Sequence, residues 1–325
     1  MSPEERRITL VSHGPNCLDG LTCAVVATRY FAGRRFEPTF ASNREIDEVL
    51  QRYDPTNPEH EELWITDISW RESATDLHLD SLIARGLRLY WVDHHRTAIQ
   101  RRAEGYLSVR FTDFVLEETY AASRLLFEYL CRRDDATAEA KVALAASREL
   151  VMLADDVDRW ILAIDGSRRL ALTVRAMEQH AAFRALLALG PDAKLNAELE
   201  AAAARVDGEL ASTFAVAEET RQVIEVASRG ITLVAAECDG YAGEVADGWN
   251  SRFPRAVYAL YDHRSGGISL RRTPDCDVDL SRLAAAFGGG GHPAASGCPM
   301  ALVGNGRAST IGRAFADALE RGVDR

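Results

Sequence analysis

The sequence has little that points to export or to a membrane. Its opening stretch, MSPEERRITLVSHG, has no apolar core ahead of a small-residue cleavage site, and no apolar run approaches bilayer-spanning length. Cysteine is scarce. The six thiols, at 17, 23, 131, 238, 276 and 298, form no CxxC pair and no dense framework. That argues against a disulfide-stapled secreted domain and fits reduced thiols in a cytoplasm. Positive charge is in deficit too: 38 basic against 49 acidic side chains give a net charge of −11. Such a balance argues against a protein that coats long duplex nucleic acid. It leaves room for a short or small nucleotide in a local basic cleft, so small partners are expected and no membrane. A homodimer stays open as an assembly.

What is present is globular. Hydrophobic content of 47% and charged content of 27%, over 325 residues, suit two soluble domains. The runs ITLVS (8–12), PTFAS (38–42), LWITDIS (63–69) and LRLYWVD (87–93) read as strands. Helical segments at 20–31, 44–53 and 72–85 separate them, which predicts parallel βαβ units and a doubly wound α/β sheet. A polar, Pro-broken loop covers 52–62, and beyond 116 the pattern is mainly helical to about 188. The Ala/Glu-rich stretch 192–227 has almost no breakers and reads as one long helix or a helical pair joining two domains. Strand-like runs return at 231–237, 256–262 and 267–272, with helices at 243–252, 278–287 and 308–321. The expected organisation is a first domain over 1–190, a helical connector over 191–228 and a smaller C-terminal α/β domain over 229–325.

Three of the expected strands end in unusual polar residues. His13, Cys17 and Asp19 follow the first, Asp67 lies in WITDIS, and Asp93, His94 and His95 close WVDHHR. Parallel strands present their carboxyl ends along one edge, where open α/β sheets bind ligands. A fourth acidic group, LADDVDRW (153–160), sits near a helix end. A lone strand-end Asp commonly caps a helix or shapes a turn, and a lone His there commonly serves a loop. Placed together, these residues form a ligand inventory for divalent ions of the Mn²⁺/Mg²⁺ class. Two such ions about 3.5–4 Å apart would serve phosphoryl-ester hydrolysis. Asp67, central in the strand order, is the natural bridge between them.

The second domain carries SRLAAAFGGGGHPAASGC (281–298). Gly288, Gly289, Gly290 and Gly291 expose backbone N–H groups to an approaching anion, and His292 stands ready to donate to phosphate or base. The plainer alternative is a flexible linker, which rarely stands between an amphipathic helix and a β-like run. Upstream, Arg271 and Arg272 end a strand, and arginine suits bidentate phosphate contact.

On these motifs the sequence resembles the DHH phosphoesterase family. VDHH at 92–95 matches the name-giving motif, CLDGLTCA the first motif, WITDIS the second, and DDVDRW the fourth of some branches. FGGGGHPAASG matches the nucleotide-binding loop of the DHH-associated C-terminal domain. The match spans nearly the whole chain in the right order. It implies a two-domain phosphohydrolase with two Mn²⁺-type ions, Mg²⁺ or another divalent ion being the alternative. Carried over by motif, His13 and Asp67 hold one ion. Asp19, Asp67, His94 and Asp156 hold the other. Asp155 competes with Asp156, which is preferred because it opens D-x-D-x-W. His95 faces the substrate phosphate, Asp93 orients the histidines, and Arg271, Gly288 to Gly291 and His292 bind substrate.

The first motif departs from the family pattern. Cys17 stands where the family has Asp, and the His13-to-Asp19 spacing is two residues longer. Cys17 either ligates as a thiolate, favouring a softer ion, or is a small residue with water in the Asp's place. The second reading is preferred, because hard ligands dominate the rest of the set. The resulting expectation is a metal-dependent phosphodiesterase acting on short oligonucleotides or small nucleotides. The alternatives are a cyclic-dinucleotide phosphodiesterase and a nucleotide-binding sensor with weakened turnover.

Overall fold

The computed structural model describes residues 6–103, 109–303 and 307–324. The chain divides into two units, 1–206 and 207–325. In the first, β1 (Arg7–His13), α1 (Leu18–Tyr30), β2 (Phe36–Ala41), α2 (Ile46–Arg52), β3 (Glu61–Thr66), α3 (Ser73–Ala84), β4 (Arg88–Asp93), α4 (Arg96–Ala103) and β5 (Asp113–Leu116) alternate along the chain. The strands form a parallel sheet of order β2-β1-β3-β4-β5. Successive side chains go to opposite faces. Ile8, Leu10, Trp64, Tyr90 and Val92 join one core with α1, while Val11, Leu63, Ile65, Leu89 and Trp91 join another with α2 and α3. Burial on both faces is why these strands read as continuous apolar runs.

Helices α5 (Ala122–Cys131), α6 (Ala138–Ala145), α7 (Arg148–Asp158), α8 (Ser167–Arg175) and α9 (Gln179–Leu187) follow. Residues from α5 to α9 pack into the core that holds α1. β5 falls where no strand is expected. It is a short edge strand in which Asp113 and Phe114 are exposed and Val115 and Leu116 only partly buried, so it lacks the buried apolar run that marks the others.

Residues 191–228 do not form a unit of their own. α10 (Ala197–Thr220) crosses the division between the units, and the segment after it is β6 (Gln222–Val226), not helix. QVIEV is β-branched and alternating, and it pairs antiparallel with β7 (Ile231–Cys238). The second unit continues through α11 (Ala242–Trp249), β8 (Ala256–Asp262), β9 (Gly267–Arg272), α12 (Leu280–Ala285), β10 (Gly290–His292), β11 (Ala295–Pro299) and α13 (Ala308–Glu320). Its sheet runs β10-β11-β9-β8-β7-β6 and is mixed, with only the β7–β8 pair parallel. The glycine run thus lies at the α12–β10 junction and on an edge hairpin. No helix among the described residues is long and apolar enough to cross a membrane.

Candidate metal centre and active site

The strand order of the first unit reverses between β1 and β3, and open α/β sheets bind ligands at the carboxyl ends on either side of such a point. His13 ends β1 there, and Asp67 follows β3. The two strands are locked beneath them: the Thr66 hydroxyl donates to Ser12 Oγ at 2.8 Å, and Ser12 donates to the Gly20 carbonyl at 2.7 Å. Gly20 is required by proximity, since a Cβ there would lie 2.2 Å from the His13 carbonyl oxygen. Its absence lets α1 close onto the end of β1 and brings Cys17 and Asp19 to the switch point.

Asp67 is 1% exposed and adopts a left-handed backbone, φ +59°. Its amide donates to the Val92 carbonyl, and its carboxylate is divided between two groups of side chains. Oδ2 lies 3.4 Å from His13 Nδ1 and 3.4 Å from Cys17 Sγ. Oδ1 lies 3.5 Å from His94 Nε2 and 3.9 Å from His95 Nδ1. Burial opposes ionisation of Asp67, yet its contacts with His13 and His94 hold the carboxyl down to about 2. Burial, then Asp67 and Asp19, push the Cys17 thiol well up. Without an ion it is a protonated donor to Asp67.

Asp93, at the end of β4, is fully buried and organises the two histidines. Its Oδ1 accepts from the His94 and His95 amides at 2.7 and 3.0 Å and lies 2.7 Å from His95 Nδ1. That hydrogen bond lifts His95 above the usual histidine range against the effect of burial, and it leaves Nε2 on a ring that is 47% exposed. Burial disfavours charge on His94, but Asp67, Asp19 and Asp158 push it up to about 9.

The fourth acidic group differs from expectation. Asp158, not Asp156, faces the cluster, with its Oδ2 3.3 Å from His94 Nε2. Asp156 accepts from the Ala163 and Ile164 amides at 2.9 and 3.2 Å and from Ser167 Oγ at 2.6 Å, so it fastens the loop into α8. Asp155 accepts from the Ala121 amide at 2.8 Å and from Arg124 at 2.9 Å. Burial alone points the other way: Asp155 and Asp156 are buried in α7 while Asp158 is more open, because the first two are taken up by backbone and side-chain donors and Asp158 ends the helix at the ligand cluster. Asp19 completes the group, accepting from the Ala122 and Ser123 amides at the N-terminus of α5. Burial, then Asp67 and Asp158, push its carboxyl well up.

The residues present fit divalent ions. His13, Cys17 and Asp67 form one set of converging donors, Asp19, His94 and Asp158 a second, and Asp67, His94 and His95 a third. Three carboxylates surround His94, whose buried Nε2 lacks a hydrogen-bond partner. That is a surplus of negative charge with an unmet nitrogen, and a hard cation answers both.

In the second unit, Arg271, Ser269, Gly290, Gly291 and Ser296 line a cleft of about 470 Å³. Gly289 and Gly291 have a structural reason to be glycine: a Cβ would lie 2.1 Å from the Gly297 carbonyl oxygen and 2.8 Å from that of Ala295. Gly288 closes α12 at φ +69°, whereas at Gly290 a Cβ would meet open space. His292 is exposed, and its Nδ1 accepts from the Ala294 amide at 3.3 Å. Arg272 is engaged by the Pro293 and Cys276 carbonyls, which leaves Arg271 as the cleft's guanidinium.

No family profile matches the sequence. Oligoribonuclease NrnB of Bacillus subtilis is 27% identical over 319 residues, covering 90% of this chain and 72% of that protein. The pGpG-specific phosphodiesterase PggH of Vibrio cholerae superposes with a TM-score of 0.57 at 12% identity, covering 98% of this chain and 97% of that one. Exonuclease RecJ bound to manganese superposes with a TM-score of 0.51 at 16% identity, over 99% and 91% of the two chains. These structures share the fold, the curated relative shares sequence over most of the chain, and VDHH ends the strand beside the ligand cluster. The motifs, the relative and the shared fold together point to the DHH phosphoesterase family.

Proposed function

We propose that this protein is a divalent-metal-dependent phosphodiesterase that hydrolyses short oligonucleotides or small nucleotides. The observation that carries the reading is the division of the Asp67 carboxylate, Oδ2 toward His13 and Cys17 and Oδ1 toward His94 and His95. One buried carboxylate placed between two donor sets is what a shared ligand requires. His13, Asp67 and Cys17 would hold one ion, and Asp19, Asp67, His94 and Asp158 the other, with Mn²⁺ preferred and Mg²⁺ the alternative. Paired divalent ions supply Lewis acidity and an activated water for phosphoryl-ester hydrolysis.

The chain's own groups do the rest. Asp93 fixes the His95 ring through Nδ1 and favours its protonated form. His95 Nε2 is thereby available to donate a proton to the departing oxygen. In the second unit the Arg271 cleft is the candidate grip for substrate phosphate or sugar. The short-substrate reading is supported by the oligoribonuclease relative and by the net negative charge. Action in a reducing cytoplasm is supported by six cysteines that are all free thiols.

The test is a product panel of short RNA, short DNA, and linear and cyclic dinucleotides, each with Mn²⁺, Mg²⁺ or no metal. Metal-dependent cleavage of the short linear substrates is expected. Asp67→Ala should abolish it while circular dichroism stays native. Turnover by that variant, or equal turnover without metal, overturns the reading.

A further inference from the structure

Directly after Asp158 the chain does something that folding alone does not explain. Trp160 and Leu162 both adopt left-handed backbone conformations, each at φ +55°, although neither is glycine or asparagine. Bulky side chains reach that region only when the surroundings enforce it, and such outliers gather at functional sites. The enforcement is visible. The Ile161 amide donates to the Asp156 carbonyl at 2.8 Å, and the Asp156 carboxylate holds the Ala163 and Ile164 amides and the Ser167 hydroxyl. Leu162 turns inward and packs on the core of the first unit. The result of this restraint is to hold an indole in water: Trp160 is 58% exposed, and Ile161 beside it 50%.

The displayed ring has two further properties. The Arg168 guanidinium carbon lies 5.1 Å from its centroid, a cationic partner that helps fix its plane. The ring also belongs to the residue two past Asp158, so their Cα atoms lie within about 7 Å. Asp158 faces His94 in the ligand cluster. A nucleotide whose phosphate sits at that cluster carries its base one sugar away, the reach that separates Asp158 from Trp160.

We infer that Trp160 is a stacking platform for a nucleobase of the substrate, set at the rim of the metal centre and held there by Asp156. This rests on the phosphodiesterase reading and adds a binding determinant to it. Stacking tolerates every base, because each has a π face. Trp160 therefore confers preference for nucleotides over base-free phosphodiesters, without choosing among bases. Asp156 is a positioning residue that acts through the loop.

The experiment compares wild type, Trp160→Ala and Trp160→Phe on a linear dinucleotide and on its two singly abasic analogues with Mn²⁺. Trp160→Ala should raise KM for the intact dinucleotide about tenfold, leave kcat within about twofold, and erase the preference for intact over abasic substrate. Trp160→Phe should restore most of it. A methylphosphonate-linked dinucleotide should quench the tryptophan fluorescence of the wild type and quench that of Trp160→Phe much less, with or without turnover. Equal KM in wild type and Trp160→Ala, or equal quenching in wild type and Trp160→Phe, overturns the platform. A shift of Trp160→Ala to a smaller assembly in size-exclusion chromatography does so as well, by assigning the ring to a contact between copies. Absence of wild-type cleavage with quenching intact would count against the phosphodiesterase reading and not against the stack.

Discussion

Asp156 and Asp158 stand two residues apart on one helix, yet only Asp158 reaches His94, at 3.3 Å, while Asp156 is hydrogen-bonded into the following loop. The two should therefore fail differently. Asp158→Asn is expected to lower bound metal by about one ion per chain and to cut the rate at least about 100-fold, with its melting temperature near wild type. Asp156→Asn should keep its metal but lose about 1–3 kcal/mol of stability, because a buried carboxylate serving three donors is weakened. Metal counting beside thermal melts distinguishes them. Loss of metal from Asp156→Asn alone would return the ligand role to that residue.

Cys17 is predicted to ligate when an ion is present. This departs from the spectator role preferred from the sequence, because the Cys17 sulfur and His13 Nδ1 each lie 3.4 Å from Asp67 Oδ2 and so converge as donors. Co²⁺-loaded wild type should show a thiolate-to-cobalt charge-transfer band that Cys17→Ser lacks, and Cys17→Ser should bind its first ion at least about tenfold more weakly. Because the thiol is protonated in the ion-free protein, loading should release a proton. Identical spectra in the two proteins would make Cys17 a bystander.

The glycine loop offers a stricter test than His292 does. Gly290→Ala adds a methyl into open space, so stability should change by less than about 0.5 kcal/mol while KM for nucleotide rises. Gly289→Ala drives a Cβ to within 2.1 Å of the Gly297 carbonyl oxygen and should cost about 1–3 kcal/mol. Metal content should be unchanged in both. A Gly290→Ala protein with wild-type KM would remove the loop from substrate binding.

One pH response lies away from the site. Arg133 pairs with Asp135 and, against partial burial and with help from the Tyr30 hydroxyl, holds its carboxyl down to about 2. An unfolded Asp titrates near 3.9, so the unfolded chain takes up the proton first as pH falls. The pair's contribution is thus complete above about pH 4 and is lost between about 4 and 2. Asp135→Asn should melt about 2 °C below wild type at pH 6, and the gap should close toward pH 2. A gap that widens on acidification would refute the assignment.

How much of this could be read from the sequence depended on burial. β1, β3 and β4 are covered on both faces and announce themselves as ITLVS, LWIT and LYWV. The half-open edge strand β5 has no such run. β6 was hidden for a different reason: no glycine or proline separates it from α10, so QVIEV reads as more helix. Residues at strand ends could be placed because a parallel sheet presents them along one edge, as with His13, Asp67 and His94. The choice among Asp155, Asp156 and Asp158 turned on which of them backbone and side-chain donors take up, and three acids within four positions leave that ambiguous in the sequence. Trp160 offered no signal beyond its type, because a left-handed backbone leaves no mark on composition.

The backbone of Asp67 links activity to an opposing demand. A β-carbon at φ +59° is disfavoured, as is a carboxylate that is 1% exposed, and both occur at the one residue the two donor sets share. A residue chosen for folding alone would relieve either burden. Selection for heat resistance without selection for catalysis should therefore erode this position first, and a protein drifting toward a purely binding role would become sturdier as it lost its chemistry.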